Sequence, residues 1–384
     1  MLHYRLPFSM GIVFVLHLAQ LTTRSLAQPT PPNAPSSTVA VSPAPLTVAE
    51  RDEVLEQLAK ELEARFVFPD VAASYAKMLR ERKQAKAYSE LSDPIAFATK
   101  VTADLQAVSA DGHLRLNFNP NGDFSPDRMA PPPGAPRDAL AETRMINDFA
   151  YLKFTSFPND PEVAGRARQF LLDHADARGV IIDARDSRGG TLMVMDAILP
   201  LFFAERTTLM RMDSREGAGF RGPPPPGAEP SGGSPAGGPE RRVPAGPPGA
   251  EPRDDGRPPT MVRQKDAPPG VERFDHIVLP DPTEKRFLKT PVFYLTSKLT
   301  RSAAEHFAMA LQRTHRGVLV GEVTAGAGNF GAPVPIGTRF SAFIPFGRSY
   351  DPDTNRGWEG TGITPDVSVP AKDALEEALR RGEK

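Results

Sequence analysis

The sequence predicts a mixed α/β protein (α+β in layout), with an N-terminal three-helix domain ahead of a layered α/β core. Three observations carry that reading. Apolar residues recur at three- and four-residue steps between Leu46 and Ala110, as a helix packed on one face requires. From Leu114 onward, short strand-like apolar runs alternate with helical stretches. The chain has 384 residues and no cysteine, so its fold rests on a buried core and not on disulfides.

Met1 to Arg5 carries a positive charge, Leu6 to Leu21 is mostly apolar, and Ser25-Leu26-Ala27 places small residues where a signal peptidase reads. Residues 1–27 are therefore expected to be a secretory signal peptide, and the mature protein to be periplasmic or extracellular. The apolar stretch is short and interrupted by Pro7, Ser9 and Gly11, which disfavours a retained membrane anchor. Residues 28–45, rich in Pro, Ser, Thr and Ala, read as a flexible spacer.

Leu55, Leu58, Leu62 and Phe66 mark one helix, a piece around Val71 to Leu79 a second, and Ile95, Phe97, Val101 and Leu105 a third. Together they define a helical domain over residues 46–110. Leu114 to Phe118 alternates as a strand, and a proline-rich loop runs from Asn119 to about Arg137. Strands follow at Phe149–Phe154 and Gly179–Asp183, with a helix near Pro161–Ala177 between them. A helix from about Thr191 to Phe203 leads to a strand at Thr207–Met212. Later strands are expected at Pro291–Leu295, Gly317–Val320 and Arg339–Pro345, and helices at Ser302–Arg313 and Ala371–Arg381. This alternation gives a second domain, 111–384, built on a largely buried sheet. Residues 217–259 interrupt it. Of those 43 residues 24 are Gly or Pro, too few apolar groups to offset ordering entropy, so the segment reads as a disordered surface insertion. Its run Pro223 to Pro226 could also dock a partner as polyproline.

The formal net charge is -1 and no basic stripe stands out, so nucleic-acid binding has no electrostatic support. The lack of cysteine excludes a thiol nucleophile and a cysteine-ligated zinc. No metal or other cofactor is expected.

The candidate chemistry starts at Ser302, where the strand Val292 to Leu295 gives way to a helix. A serine there is an ordinary helix cap. It is also where a nucleophile gains from free backbone N–H groups. Of seven histidines, His3 and His17 fall in the signal segment. His174 and His315 sit late in helices, and His276 precedes a strand with no motif beside it. His113, behind Gly112 where helix turns to strand, and His306, one helical turn beyond Ser302, are rival bases that spacing does not separate. Gly189-Gly190, after the buried strand ending at Asp183, can expose backbone N–H groups to an oxyanion.

Four pieces occur in one order: Asp111-Gly112-His113, Ile181 to Gly190, Thr296 to Glu305, and Trp358 to Asp366. This set resembles the tail-specific (C-terminal processing) serine peptidases, in the branch related to interphotoreceptor retinoid-binding protein and the tricorn protease core. The resemblance covers roughly Leu46 to Arg381 apart from the insertion. It implies a ClpP/crotonase-like layered α/β peptidase core. It also implies Ser302 as nucleophile, with the N–H groups of Ala303 and of Gly189, or Gly190, as oxyanion hole. Many relatives carry a lysine base in a Thr-x-Gly-Lys-Gly segment. Here Thr324 to Gly328 has Ala327 in that place. The resemblance instead implies His113 as base, oriented by Glu359, and settles the choice against His306. Lys298 is a distant third option. A PDZ domain, common in the family, has no room in the roughly 35 residues between His113 and Phe149.

The expected function is an exported serine-type endopeptidase acting on peptide or protein substrates by a Ser-His-Glu mechanism. The alternative is a non-catalytic binder of hydrophobic, retinoid- or fatty-acid-like ligands on the same scaffold, motivated by the missing lysine and PDZ domain. A third, weaker idea is an interaction protein working through the Gly/Pro insertion.

Overall fold

The computed structural model describes residues 43–120, 138–218 and 257–383. The signal segment, residues 28–42 of the spacer, loop residues 121–137 and residues 219–256 of the insertion lie outside the described residues.

Three helices open the described chain: α1 (Val48–Arg65), α2 (Pro69–Gln84) and α3 (Pro94–Val108). Thr47 caps α1 by accepting the Glu50 N–H, and Asp93 caps α3 by accepting the Ala96 N–H at 2.7 Å. Proline opens α2 and α3, where its missing N–H costs nothing. In α3 the buried stripe runs through Phe97, Ala98, Val101 and Leu105, while Ile95 points away from it and is exposed. The helices do not close a core among themselves. Leu55, Leu58, Leu62 and Phe97 pack with Leu114 and Leu116 and with Phe340, Ala342 and Ile344 of the following sheet.

That first sheet is antiparallel. It runs β1 (Arg115–Phe118), β11 (Phe340–Tyr350), β5 (Thr207–Arg215), β7 (Val271–Val278) and β6 (Met261–Arg263), with β10 (Asn329–Ile336) also paired to β11. The second sheet is ordered β12 (Val367–Ser368), β9 (Val318–Gly321), β8 (Val292–Thr296), β4 (Gly179–Asp183), β3 (Phe149–Phe154) and β2 (Leu140–Ile146). Its pairs are parallel except β2 with β3. Every residue of β4 and β8 is buried, as their unbroken apolar runs predict. One face packs on α4 (Pro161–Asp173), α5 (Met193–Ile198) and α6 (Ala303–Arg313), through Leu152, Ile182, Tyr294, Leu171, Val194 and Phe307. The other packs on α7 (Ala374–Gly382) through Tyr151, Ile181, Phe293, Ala374 and Ala378.

Strands β2, β6, β7, β10 and β12 are additions to the sequence expectation, and β11 runs five residues beyond Pro345, the expected strand end. The layout places the candidate motifs at one edge. Gly189-Gly190 follow the carboxyl end of β4 and Ser302 follows that of its neighbour β8, the usual position for a site in a parallel sheet.

Candidate active site

The turn from β8 to α6 is stitched to the loop after β4. Ser297 Oγ donates to the Arg185 carbonyl at 2.5 Å, Thr300 Oγ1 to the Ala184 carbonyl at 2.9 Å, and the Arg301 N–H to the Ser187 carbonyl at 3.2 Å. Ser302 then adopts φ 57° and ψ -124°. An ordinary cap such as Thr47 is extended, at φ -77° and ψ 162°. A positive φ at a serine costs about 1–3 kcal/mol and persists only where its surroundings fix it.

Those surroundings are explicit. Glu305 is buried, and its Oε2 accepts the N–H groups of Ser302 (2.8 Å) and Ala327 (2.9 Å). Its Oε1 accepts the Thr324 hydroxyl (2.6 Å) and the Gly326 N–H (2.7 Å). Burial nevertheless holds this carboxyl above its usual range, against the four donors. Glu305 reads in sequence as a first-turn capping residue; its span from α6 to residues 324–327 has no sequence signal beyond the Ser-x-x-Glu spacing.

Gly189 (φ 85°) presses on the same turn. A Cβ there would lie 2.6 Å from the Arg301 carbonyl oxygen, 2.7 Å from Ser302 Cβ and 2.9 Å from the Ala303 nitrogen. Gly190 (φ 142°) is equally confined, since a Cβ would lie 2.0 Å from the Phe157 carbonyl oxygen. Among the described residues the N–H groups of Gly190 and Ala303 make no hydrogen bond, and that of Gly189 has only the Ser187 hydroxyl at 3.5 Å. Ser302 thus stands beside backbone donors that are free to take a developing anion.

His113 is held on a turn by Asp111, whose Oδ1 accepts the N–H groups of His113 (2.8 Å) and Leu114 (2.9 Å) and whose Oδ2 accepts Asn329 Nδ2 (2.8 Å). The ring stacks on Phe343 with centroids 5.2 Å apart. Its Nδ1 is buried without a hydrogen-bond partner among the described residues. Burial, then the charges of Arg301 and Arg115, pull the imidazole down to about 4, so it is neutral near pH 7. Two links join its turn to that of Ser302. Arg301 Nη2 donates to the Gly112 carbonyl at 2.5 Å, and a Cβ on Gly112 would lie 3.1 Å from both Cα and Cβ of Ala327, itself bonded to Glu305. The backbone of Gly112 therefore closes over the position that carries lysine in many relatives. No hydrogen bond runs directly between the Ser302 hydroxyl and the imidazole among the described residues.

Glu359 reaches the histidine's turn, not its ring. Its Oε1 accepts the Gly112 N–H at 2.6 Å, and its Oε2 those of Gly328 (2.6 Å) and Asn329 (2.7 Å). In place of the direct Glu359–imidazole bond implied by the resemblance, the carboxylate contacts three backbone donors, at Gly112 beside the histidine and at Gly328 and Asn329 where β10 begins. Burial and then the nearby Asp111 push the Glu359 carboxyl up to about 7.

The rival histidine lies elsewhere. His306 belongs to α6 and is buried, with its Nε2 2.9 Å from His276 Nδ1, and His276 Nε2 is 2.9 Å from Asp196 Oδ1. This chain crosses the core from α6 through β7 to α5, and burial keeps His306 neutral. Lys298 is exposed on the surface of the turn.

A family model described as peptidase family S41 matches residues 148–369, and one described as the N-terminal domain of these peptidases in eukaryotic IRBP matches residues 47–154. Among solved structures, the photosystem II D1 C-terminal processing protease is 13% identical, with 87% of this chain and 97% of that chain covered and a TM-score of 0.50. A candidate peptidase from Parabacteroides merdae is 14% identical, with 88% and 98% covered and a TM-score of 0.52. The tricorn protease is 11% identical, with 88% of this chain and 37% of that chain covered and a TM-score of 0.48.

Proposed function

The chain belongs to peptidase family S41, and from that premise we propose that it is an exported serine endopeptidase whose nucleophile is Ser302 and whose base is His113. The observation that carries the proposal is the strained backbone of Ser302, wedged against Gly189 and beside the free N–H of Ala303. In this reading Ser302 Oγ attacks the scissile carbonyl and its proton passes to a ring nitrogen of His113. The N–H groups of Ala303 and Gly189 or Gly190 stabilise the oxyanion. Collapse expels the amine with the proton from His113, and water then releases the acyl group by the same route. The serine–histidine hydrogen bond forms only once substrate is seated.

Glu359 acts in this scheme as a positioning residue, through the Gly112 backbone. Glu305 does the same for Ser302 and the 324–327 segment. Neither needs to touch substrate. Export rests on the signal-like residues 1–27. The test is hydrolysis of a peptide library by wild type and Ser302→Ala. Turnover confined to the wild type, with both proteins equally folded, is expected. Equal turnover by both overturns the assignment.

A further inference from the structure

A buried polar chain joins the two helices that lead away from the reacting groups, and the mechanism above makes no use of it. His276 of β7 is fully buried. Its Nε2 lies 2.9 Å from Asp196 Oδ1 of α5, and its Nδ1 lies 2.9 Å from His306 Nε2 of α6. Thr260, just before β6, donates from Oγ1 to the other Asp196 oxygen at 3.1 Å. A carboxylate can only accept, so His276 carries a proton on Nε2. The neutral ring then has a bare Nδ1, to which His306 donates from Nε2. Each link therefore has one direction.

The two ends of the chain stand close to the candidate site. Asp196 follows Gly190 by six residues, on the short helix that the paired glycines lead into. His306 lies one turn into α6, and its N–H donates to the Ser302 carbonyl at 3.0 Å. The His306 ring also meets Trp358 edge to face, with centroids 6.3 Å apart, and Trp358 directly precedes Glu359. Val194, Met195 and Phe307, which flank the ends in sequence, and Met210, which pairs with His276 across β5 and β7, are all apolar and buried. Apolar packing alone tolerates small slips between elements. A hydrogen-bonded chain whose members are satisfied holds the elements it joins in one arrangement.

We propose that His276 is a positioning residue: it ties α5, entered from Gly189-Gly190, to α6, entered from Ser302, and so fixes the oxyanion donors relative to the nucleophile. This rests on the peptidase reading of the same site. His276 touches no substrate in this scheme. A misplacement of about 1 Å costs on the order of 100-fold in rate, so partial slackening of the tie is visible in kcat.

Four variants separate the links. His276→Asn keeps an acceptor for His306 and gives up Asp196. His276→Gln keeps a donor for Asp196 and gives up His306. Asp196→Ala removes the far anchor, and Asp196→Asn restores it, because an amide oxygen accepts the same bond. For each full-length protein, kcat and KM are measured on a peptide that wild type cleaves, and the amide 1H–15N shifts of Gly189, Gly190 and Ala303 are followed. In both His276 variants and Asp196→Ala, kcat should fall by about tenfold with KM within about twofold, and the three amides should move. Asp196→Asn should keep kcat within about threefold of wild type, with wild-type amide shifts. Where Asp196→Ala does not fold, the two His276 variants carry the comparison, and imidazole 15N shifts of wild type should show His276 protonated on Nε2 and bare on Nδ1. If wild type cleaves no peptide, yet the amides move in the broken-link variants and return in Asp196→Asn, the positioning role stands and the peptidase reading fails. Wild-type kcat in the folded His276 variants, amides that stay in place, or a His276 bare at Nε2 overturns the positioning role.

Discussion

Glu359 Oε1 accepts the N–H of Gly112 at 2.6 Å, so a carboxylate 247 residues downstream fixes the backbone immediately before His113. The two side chains titrate in opposite senses. Burial and Asp111 raise Glu359 to about 7, whereas burial and two arginines lower His113 to about 4.

Those shifts predict opposing stability slopes. Glu359 binds its proton more tightly folded than unfolded, so its contribution is full at acid pH and is lost as pH rises from about 4.5 to 7. His113 binds its proton less tightly folded, so its contribution is present above about 6.5 and is lost as pH falls towards 4. Each slope is below about 1.4 kcal/mol per pH unit, and between pH 4.5 and 6.5 they partly cancel. Denaturant midpoints should separate them. The stability of Glu359→Gln relative to wild type should climb with pH across this window, and that of His113→Asn should fall. Parallel curves for all three proteins contradict the assignment.

The same shift bears on activity. A base must be neutral to accept a proton, so the acid limb of kcat/KM should lie nearer pH 4 than the usual 6.5 of histidine. A pH–rate profile of the free enzyme reads this directly. A limb centred at 6.5 would mean that His113 is solvated and unperturbed.

Gly189→Ala should remove catalysis with moderate loss of stability. The added methyl meets the Arg301 carbonyl oxygen and Ser302 Cβ well inside van der Waals contact, at a φ of 85°. Displacing the donors beside Ser302 should cost about 100-fold or more in kcat, and the strained backbone about 1–3 kcal/mol of stability. A folded variant with near-normal turnover would remove Gly189 from the oxyanion site.

Ala327→Lys, which recreates the sequence of lysine-based relatives, should not create a second base. Ala327 is buried and its methyl lies against the Gly112 turn. A lysine there should destabilise by about 1–3 kcal/mol as an overpacked core does, and should disturb His113. Increased turnover at high pH in this variant would show that the site accepts either base.

Much of this architecture is legible in the sequence, and the exceptions have physical causes. β4 and β8 are read because burial on both faces leaves continuous apolar runs. β7 is hidden because Arg273 and Asp275 break its pattern, and both are neutralised by Asp213 and Arg211 of the neighbouring β5, a pairing visible only in three dimensions. β10 contains Pro333 and Pro335, which argue against a strand, yet it lies on the free edge of β11 where proline is tolerated. At the site, residue types and spacing point to Ser302 and the paired glycines but leave His113 and His306 as rivals, and only the family resemblance favours His113. The same information does not reveal that Glu305 and Glu359 spend their oxygens on backbone N–H groups. Such partners are set by the approach of distant turns, and any acidic residue of suitable reach looks alike in sequence.

The central claim is that Ser302 is activated by His113. Native labelling with a fluorophosphonate, located by peptide mapping, tests it most directly when wild type, Ser302→Ala, His113→Ala and His306→Ala are compared after each is shown to be folded. The expected result is label on Ser302 in wild type, none in Ser302→Ala, and a rate lower by about 100-fold or more in His113→Ala. His306→Ala should still label, because its imidazole is turned into the core towards His276. A folded wild type that resists labelling, or a His113→Ala variant that labels at the wild-type rate, would contradict the mechanism.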